Sequence, residues 1–190
     1  MKRILFTTLL FTITLGCNDP ANQEQQVRPL SETIPQSFFV SERPSEAIDL
    51  VKVKETAKAG DDVTFLARIG GRRNASFIPS LAMMIVADPG LISCELMSDN
   101  PDHCETPEDY CCEDPATVTK SLGTIRFLDD QGEMYPFSAE GSGGMEILKY
   151  IVVTGKVHDI NENGVFIVDA SKVWVGGKPS YGNERQGSGE

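Results

Sequence analysis

The chain has 190 residues, of which 40% are hydrophobic, and a formal net charge of -11. A chain of this size can bury one core of moderate size. Its acidity argues against nucleic acid as a partner, because affinity for phosphate backbones depends on Lys and Arg. Solubility is the simpler explanation of the acidic surface.

The N-terminus is predicted to be a lipoprotein signal peptide over residues 1–16. A short basic start precedes an apolar run from Ile4 to Leu15, which is shorter than the ~20 residues of a membrane-spanning helix. The run ends at Thr14-Leu15-Gly16-Cys17, which resembles a bacterial lipobox except for Thr14, where Leu is usual. The sequence therefore predicts a lipid on Cys17 that anchors the protein to a bacterial membrane, outside the cytoplasm. Ordinary cleavage near Gly16 is the alternative.

Export would change both the charge and the redox environment of the chain. The net charge would become -13, since two of the 17 basic residues leave with the signal peptide. Disulfides can form in the compartment that receives it. Residues 17–44 are mostly polar and are predicted to form a disordered tether, and the Gly- and Ser-rich residues 176–190 a disordered tail. The folded domain is expected over residues 45–175.

Within the domain the pattern predicts one short helix followed by five principal strands. The helix is placed from Ser45 to about Ala57, because Ser45 can cap it and apolar residues recur at helical spacing. One helical turn is expected near 145–149. Apolar runs bounded by Gly, Pro and Asp predict the strands at residues 63–69, 81–87, 123–128 with a hairpin partner at 133–138, 150–157 and 165–175.

These strands predict an all-β, mainly antiparallel fold. A small OB-like five-stranded barrel is favoured, because closure of the sheet removes its exposed edges. A β-sandwich is the alternative, since the same strands would also build two packed sheets. In both folds the Cys-rich segment 94–115 is a long loop inserted between two strands.

The Cys-rich segment carries the unusual chemistry of this chain. From Cys94 to Asp114 it holds four of the five cysteines, one of the two histidines, eight acidic residues and no Lys or Arg. Its second half reads Cys104-Glu105-Thr106-Pro107-Glu108-Asp109-Tyr110-Cys111-Cys112-Glu113. This run resembles the C-x-T-P-x-D-Y-C-C-E motif of extracytoplasmic OB-like proteins of planctomycetes. The family pattern has an aromatic residue where Glu108 stands.

The resemblance covers roughly residues 45–175 and implies the fold, together with a motif formed by Thr106, Pro107, Asp109, Tyr110 and Glu113. It implies no activity, because a barrel fold hosts many functions.

Disulfides are the favoured role of the four clustered cysteines, Cys94, Cys104, Cys111 and Cys112. Four cysteines allow three pairings. A bridge between the adjacent Cys111 and Cys112 would be strained, so we expect Cys94 and Cys104 each to pair with one of them. A bridge across about 20 residues contributes about 3 kcal/mol in the chain-entropy model. The even count and the compartment support this prediction.

Two alternatives use the same cysteines. A metal site would combine thiolates and an imidazole, which suit zinc or copper, from Cys94, His103, Cys104, Cys111 and Cys112. The spacing lacks the paired Cys-x-x-Cys knuckles of structural zinc sites. Thiol-redox chemistry would use a labile Cys111–Cys112 pair, but the surrounding acids would raise the thiol pKa.

No catalytic residue is predicted, since the chain contains no Gly-x-Ser-x-Gly, His-Glu-x-x-His or phosphate-loop pattern. Arg68, Arg72 and Arg73 form one basic spot that would bind an anion or neutralise the acidic loop. The predicted function is a membrane-tethered, non-enzymatic binding or structural domain without a cofactor. It would present a disulfide-stapled acidic loop to a protein or small ligand. The alternative is a zinc- or copper-binding, or thiol-redox, accessory lipoprotein.

Overall fold

The computed structural model describes residues 33–70, 76–94, 110 and 113–178. All of them belong to one compact unit, Ser31–Glu190. In chain order the strands and α-helices of this part are β1 Phe39–Val40, β2 Ile48–Asp49, α1 Leu50–Lys54, β3 Asp62–Ile69, β4 Met83–Ala87, α2 Pro115–Ser121, β5 Leu122–Arg126, β6 Tyr150–Ile160 and β7 Phe166–Val175. None of the helices in these ranges has the length and apolar character needed to cross a membrane.

Five of the strands close into a barrel. β3 pairs with β4, β4 with β5, and β6 with both β7 and β3, all antiparallel, while β5 and β7 pair in parallel. This arrangement confirms the predicted all-β, mainly antiparallel small barrel. The ladder from Asp62↔Lys156 to Arg68↔Tyr150 closes the ring. It therefore excludes the β-sandwich, whose two sheets would not be joined there.

The interior of the barrel is filled by alternate residues of its strands. Phe65, Ala67 and Ile69 of β3 are fully buried, as expected when successive side chains point to opposite faces. The ring of Phe65 meets that of Phe166 from β7 edge to face, with 5.8 Å between ring centroids. The alternation also places Arg68 on the outer face of β3.

Residues 33–44 lie on the barrel, which corrects the predicted boundary of the tether. Within them β1 pairs in parallel with β7. Ile34 is buried, and its backbone N–H donates to the hydroxyl of Ser142 at 3.1 Å. Phe38 packs edge to face on Phe127, with ring centroids 5.5 Å apart. A few large apolar side chains in a polar stretch are therefore enough to dock it.

The other differences from the predicted elements are local. The predicted helix 45–57 shrinks to α1, because β2 precedes it and pairs in parallel with β3. The hairpin partner at 133–138 is reduced to a single bridge between Leu128 and Met134. The helical turn expected near 145–149 is a non-helical turn closed by Lys149 and Glu146, and a 3-10 turn precedes it at Ser142–Gly144.

Helix α2 was not predicted, although its start carries a recognisable signal. The side chain of Asp114 accepts the backbone N–H of Thr117 at 2.9 Å, and Pro115 occupies the first turn. An acidic N-cap followed directly by Pro is a typical helix start.

Candidate functional site

The structure describes three of the residues predicted for the site, namely Cys94, Tyr110 and Glu113. The others lie outside the described residues: Cys17, His103, Cys104, Thr106, Pro107, Asp109, Cys111 and Cys112. Lipidation, disulfide pairing and the metal alternative therefore stay predictions. What the structure adds is the way in which the two ends of the Cys-rich segment are attached to the barrel.

Tyr110 is buried against the outside of the barrel. Its side chain is 2% exposed and packs with Ala87 and Leu91, and Val118 and Leu122 flank this small cluster. The cluster is separate from the core inside the barrel. A buried Tyr needs a partner for its hydroxyl, and Arg68 provides it.

Arg68 connects the entry and the exit of the Cys-rich segment. It is fully buried, and its Nη2 donates to the carbonyl oxygen of Leu91 and, at 3.3 Å, to the hydroxyl of Tyr110. Its guanidinium also lies over the ring of Tyr150, 6.0 Å from the centroid, at a distance typical of a cation–π contact. We call Arg68, Leu91 and Tyr110 the loop base.

The loop base changes the interpretation of the basic spot predicted at Arg68, Arg72 and Arg73. Arg68 is occupied by internal hydrogen bonds to Leu91 and Tyr110 and is not exposed to an external anion. Arg72 and Arg73 lie outside the part of the chain that the structure describes. Leu91 lies three residues before Cys94, and Tyr110 lies one residue before Cys111. Arg68 therefore holds both ends of the Cys-rich segment.

Asp88 fixes the entry of the segment from a second direction. One carboxylate oxygen accepts the backbone N–H of Val51 in α1 at 2.8 Å, and the other accepts that of Gly90 at 2.8 Å. Its own backbone N–H donates to Ser121 at the end of α2 at 2.8 Å. Hydrogen bonds to an ionised acceptor are stronger than neutral ones, so this turn joins both helices to the segment.

Lys54 joins the same two helices on the side of α2. Its ammonium donates to the backbone carbonyls of Thr119 at 3.2 Å, Leu122 at 2.6 Å and Gly164 at 3.3 Å. A cation near the carboxyl end of a helix satisfies carbonyls that the helix leaves open. Burial lowers the pKa of Lys54 to about 8.

We expect the free energy of unfolding of the natural protein to rise with pH relative to a Lys54→Met variant. Below about pH 8 the folded and unfolded chains both carry the proton, so the desolvation penalty of Lys54 is fully present. Between about 8 and the ordinary value of 10.5 the folded chain releases the proton first, and stability then increases with pH.

Denaturant unfolding of both proteins across this pH range measures the difference. Lys120→Met, on the exposed side of α2, serves as the control. A difference between natural protein and Lys54→Met that stays constant with pH would contradict the prediction, because it would mean that the three carbonyls offset the desolvation of the ammonium.

Metal binding receives no support from the described part of the chain. Cys94 is buried at the entry of the segment, and within the described ranges no three His, Cys, Asp or Glu side chains converge as metal ligands would. Glu113 lies at the exit, where its backbone N–H donates to the carbonyl of Tyr110 at 3.0 Å. The remaining candidate ligands lie outside these ranges.

One polar cluster on the outer face of the barrel was not predicted. Arg126 contacts one carboxylate oxygen of Asp169 at 2.6 Å through Nη2, and His158 lies 3.6 Å from the other oxygen. The parallel pairing of β5 with β7 places Arg126 opposite Asp169, which no local pattern could reveal. The cluster is partly exposed and is a surface ion-pair network of modest energy.

The fold and the loop base together define the class: a small OB-like β-barrel domain with a Cys-rich insertion attached to its outer wall. Comparisons with protein-family models, with curated proteins and with solved structures give no match for this chain.

Proposed function

We propose that this protein is a membrane-tethered, extracytoplasmic binding domain that presents the Cys-rich acidic segment as its recognition surface. The observation that carries the proposal is the loop base, in which fully buried Arg68 bonds both Leu91 and Tyr110. Burying a guanidinium costs several kcal/mol unless it is hydrogen-bonded. A buried guanidinium that joins the two ends of a loop is explained if the function requires those ends to be held in place.

A fixed base favours recognition, because a segment whose two ends are fixed has less conformational entropy to lose when it binds. The eight acidic residues and the absence of Lys and Arg between Cys94 and Asp114 select a cationic partner, such as a basic protein surface or a small cationic ligand. No reaction and no cofactor are needed for this role.

The loop base also supports disulfides between the two ends of the segment. Arg68 attaches both ends to one side chain, through Leu91, three residues before Cys94, and through Tyr110, which directly precedes Cys111 in the sequence. A bridge requires Cα atoms within about 7 Å of each other. We therefore propose that Cys94 pairs with Cys111 or Cys112, and that Cys104 pairs with the other.

Lipidation at Cys17 completes the proposal by placing the domain near a membrane. The described domain starts at Thr33, and residues 18–32 would span at most about 55 Å when fully extended. Two or three acyl chains would hold the protein firmly, since each buried CH₂ contributes about 0.8 kcal/mol. The segment would then meet partners close to the membrane surface.

Intact mass spectrometry of the exported full chain, with and without alkylation, tests the disulfides. We expect no alkylation of Cys94, Cys104, Cys111 or Cys112 before reduction and alkylation of all four afterwards. Elemental analysis of the same sample should find no stoichiometric zinc or copper. Two alkylatable thiols together with one bound metal would overturn the proposal in favour of a metal-binding or thiol-redox lipoprotein.

Separate Cys111→Ser and Cys112→Ser variants act as matched controls for the pairing. Each should release one thiol, and peptide mapping should locate it at Cys94 in one variant and at Cys104 in the other. Release of the neighbouring cysteine in both variants would instead indicate a Cys111–Cys112 bridge.

A further inference from the structure

β3 has an open edge at its amino end. Over Asp62–Thr64 it pairs with β6 on one side. On the other side β2 joins it only at Phe65 and Leu66, and β4 only at Arg68 and Ile69. Among the residues that the structure describes, the first three of β3 thus have no ladder partner on that side. An open strand edge is a template for another strand.

The N–H group of Thr64 points to this open side. Ile69 donates its N–H towards β6, to Lys149, whereas Gly70 donates its N–H towards β4, to Ile85. In an antiparallel strand alternate residues direct their N–H and C=O to the same neighbour. The N–H groups of Thr64 and Asp62 therefore face away from β6.

A groove of about 540 Å³ lies beside the open edge, between the segment before β2 and the segment that leads from α1 into β3. Val53, Ala57 and Val63 contribute apolar lining. Ile48 also lines the groove. It is 48% exposed, and no other large hydrophobic side chain in the described ranges is exposed. We call this feature the edge groove. Its volume falls within the range of ligand-binding clefts.

The charge of the edge groove identifies the kind of partner. Glu46, Asp61 and Asp62 line it, and none of its lining residues is basic. Asp62 is paired with Lys156 at 3.1 Å, which leaves the carboxylates of Glu46 and Asp61 to attract a cation. Apolar contacts, an open edge and carboxylates together match an extended basic peptide, and they repel anionic ligands.

We propose that the edge groove binds an extended basic segment of a partner protein, which adds to β3 as a strand in the place that β2 leaves open. Main-chain hydrogen bonds to such an edge provide affinity, and alternate side chains provide specificity. A segment of alternating apolar and basic residues would set its apolar side chains against Ile48 and Val53 and its basic ones near Glu46 and Asp61. None of the residues that line the groove belongs to the Cys-rich segment, and this binding needs neither lipid nor disulfide.

Binding of a blocked seven-residue peptide of alternating Lys and Val to the full chain tests the proposal. Isothermal titration at low salt should give a Kd that is about tenfold weaker for the double variant Glu46→Gln/Asp61→Asn. The Asn side chain keeps an oxygen to accept the N–H of Lys58, as Asp61 does. Glu133→Gln/Glu140→Gln changes the net charge equally, away from the groove, and should leave the Kd unchanged.

Two further measurements separate strand addition from general charge attraction. Hydrogen exchange at the Thr64 amide should slow when the peptide binds, and a peptide N-methylated at alternate positions should bind at least tenfold more weakly. Equal affinity of the N-methylated peptide would overturn the proposal. So would a loss of affinity in Asp99→Asn/Asp102→Asn but not in the groove variant, since that result would assign the peptide to the Cys-rich segment.

Discussion

Replacing Arg68 by Met is expected to lower the free energy of unfolding by about 3 kcal/mol. Arg68 is fully buried, and its removal takes one hydrogen-bond donor away from the carbonyl of Leu91 and one from the hydroxyl of Tyr110. Each acceptor left buried and unsatisfied costs about 1–3 kcal/mol. Met fills much of the space that Arg68 occupies, and removal of the buried charge offsets part of this cost. The net effect remains destabilising, because the donor is removed while the two acceptors stay in place.

Two graded variants identify the source of the loss. Tyr110→Phe removes a single hydroxyl and should cost about 1 kcal/mol. Arg126→Met breaks an ion pair whose side chains are 18% and 25% exposed, and should cost no more than about 1 kcal/mol. Denaturant unfolding at neutral pH gives all three values. A smaller effect for Arg68→Met than for Arg126→Met would contradict the structural role of the loop base.

A local measurement connects the loop base to the proposed recognition surface. Under conditions in which the Arg68→Met protein is still folded, we expect the backbone amide of Leu91 to exchange faster than in the natural protein. The amides of β6 should be much less affected, because β6 remains paired on both sides. Equal acceleration in both places would point to global destabilisation, and the loop base would then be no more than part of the general packing.

Gly155→Ala is expected to lower the free energy of unfolding by about 3 kcal/mol or more. A Cβ atom at Gly155 would lie 2.8 Å from Cγ1 of Val168 and closer still to the backbone carbonyl oxygen of Asp169. The pairing of β6 with β7 shifts register between Thr154 and Gly155, and the two backbones approach closely there. A methyl group would force the longest ladder of the barrel apart.

Gly177→Ala is the matched control, because a Cβ at Gly177 would meet nothing within 4 Å. It should change the free energy of unfolding by no more than about 0.5 kcal/mol. Urea unfolding followed by tryptophan fluorescence is suitable, since Trp174 lies in β7. Failure of Gly155→Ala to fold agrees with the prediction. A decrease in the free energy of unfolding of less than about 1 kcal/mol would contradict the prediction, because it would show that β6 and β7 can move apart at Gly155 at little cost.

Much of the barrel could be predicted because it depends on local pattern. Alternating apolar residues before Gly70 identify β3 within one residue, and β6 and β7 follow from equally plain runs. Burial of one face of a strand requires this alternation. The short strands β1 and β2 were not predicted. β1 and β2 have two residues each, and so short a pairing leaves almost no trace in composition.

The tether boundary was misplaced for a related reason. Phe38 and Phe39 stand in a polar stretch, where composition predicts disorder. Their docking depends on the Phe127 ring and on the space at Gly143, which lie about a hundred residues further along the chain. Propensity cannot detect a contact at that separation, so a disordered tether and a docked segment look alike in sequence.

The sequence by itself determined the all-β class and where the unusual chemistry is concentrated, because periodicity and composition are local properties. Only the tertiary structure decided how that chemistry is attached. Alternation puts Arg68 on the outer face of β3, where a charged side chain is normally solvated. Here Arg68 is buried instead, and it bonds Leu91 near the start of the Cys-rich segment and Tyr110 near its end. Burial of a charge in this way depends on contacts between distant segments, and those contacts exist only once the barrel has closed.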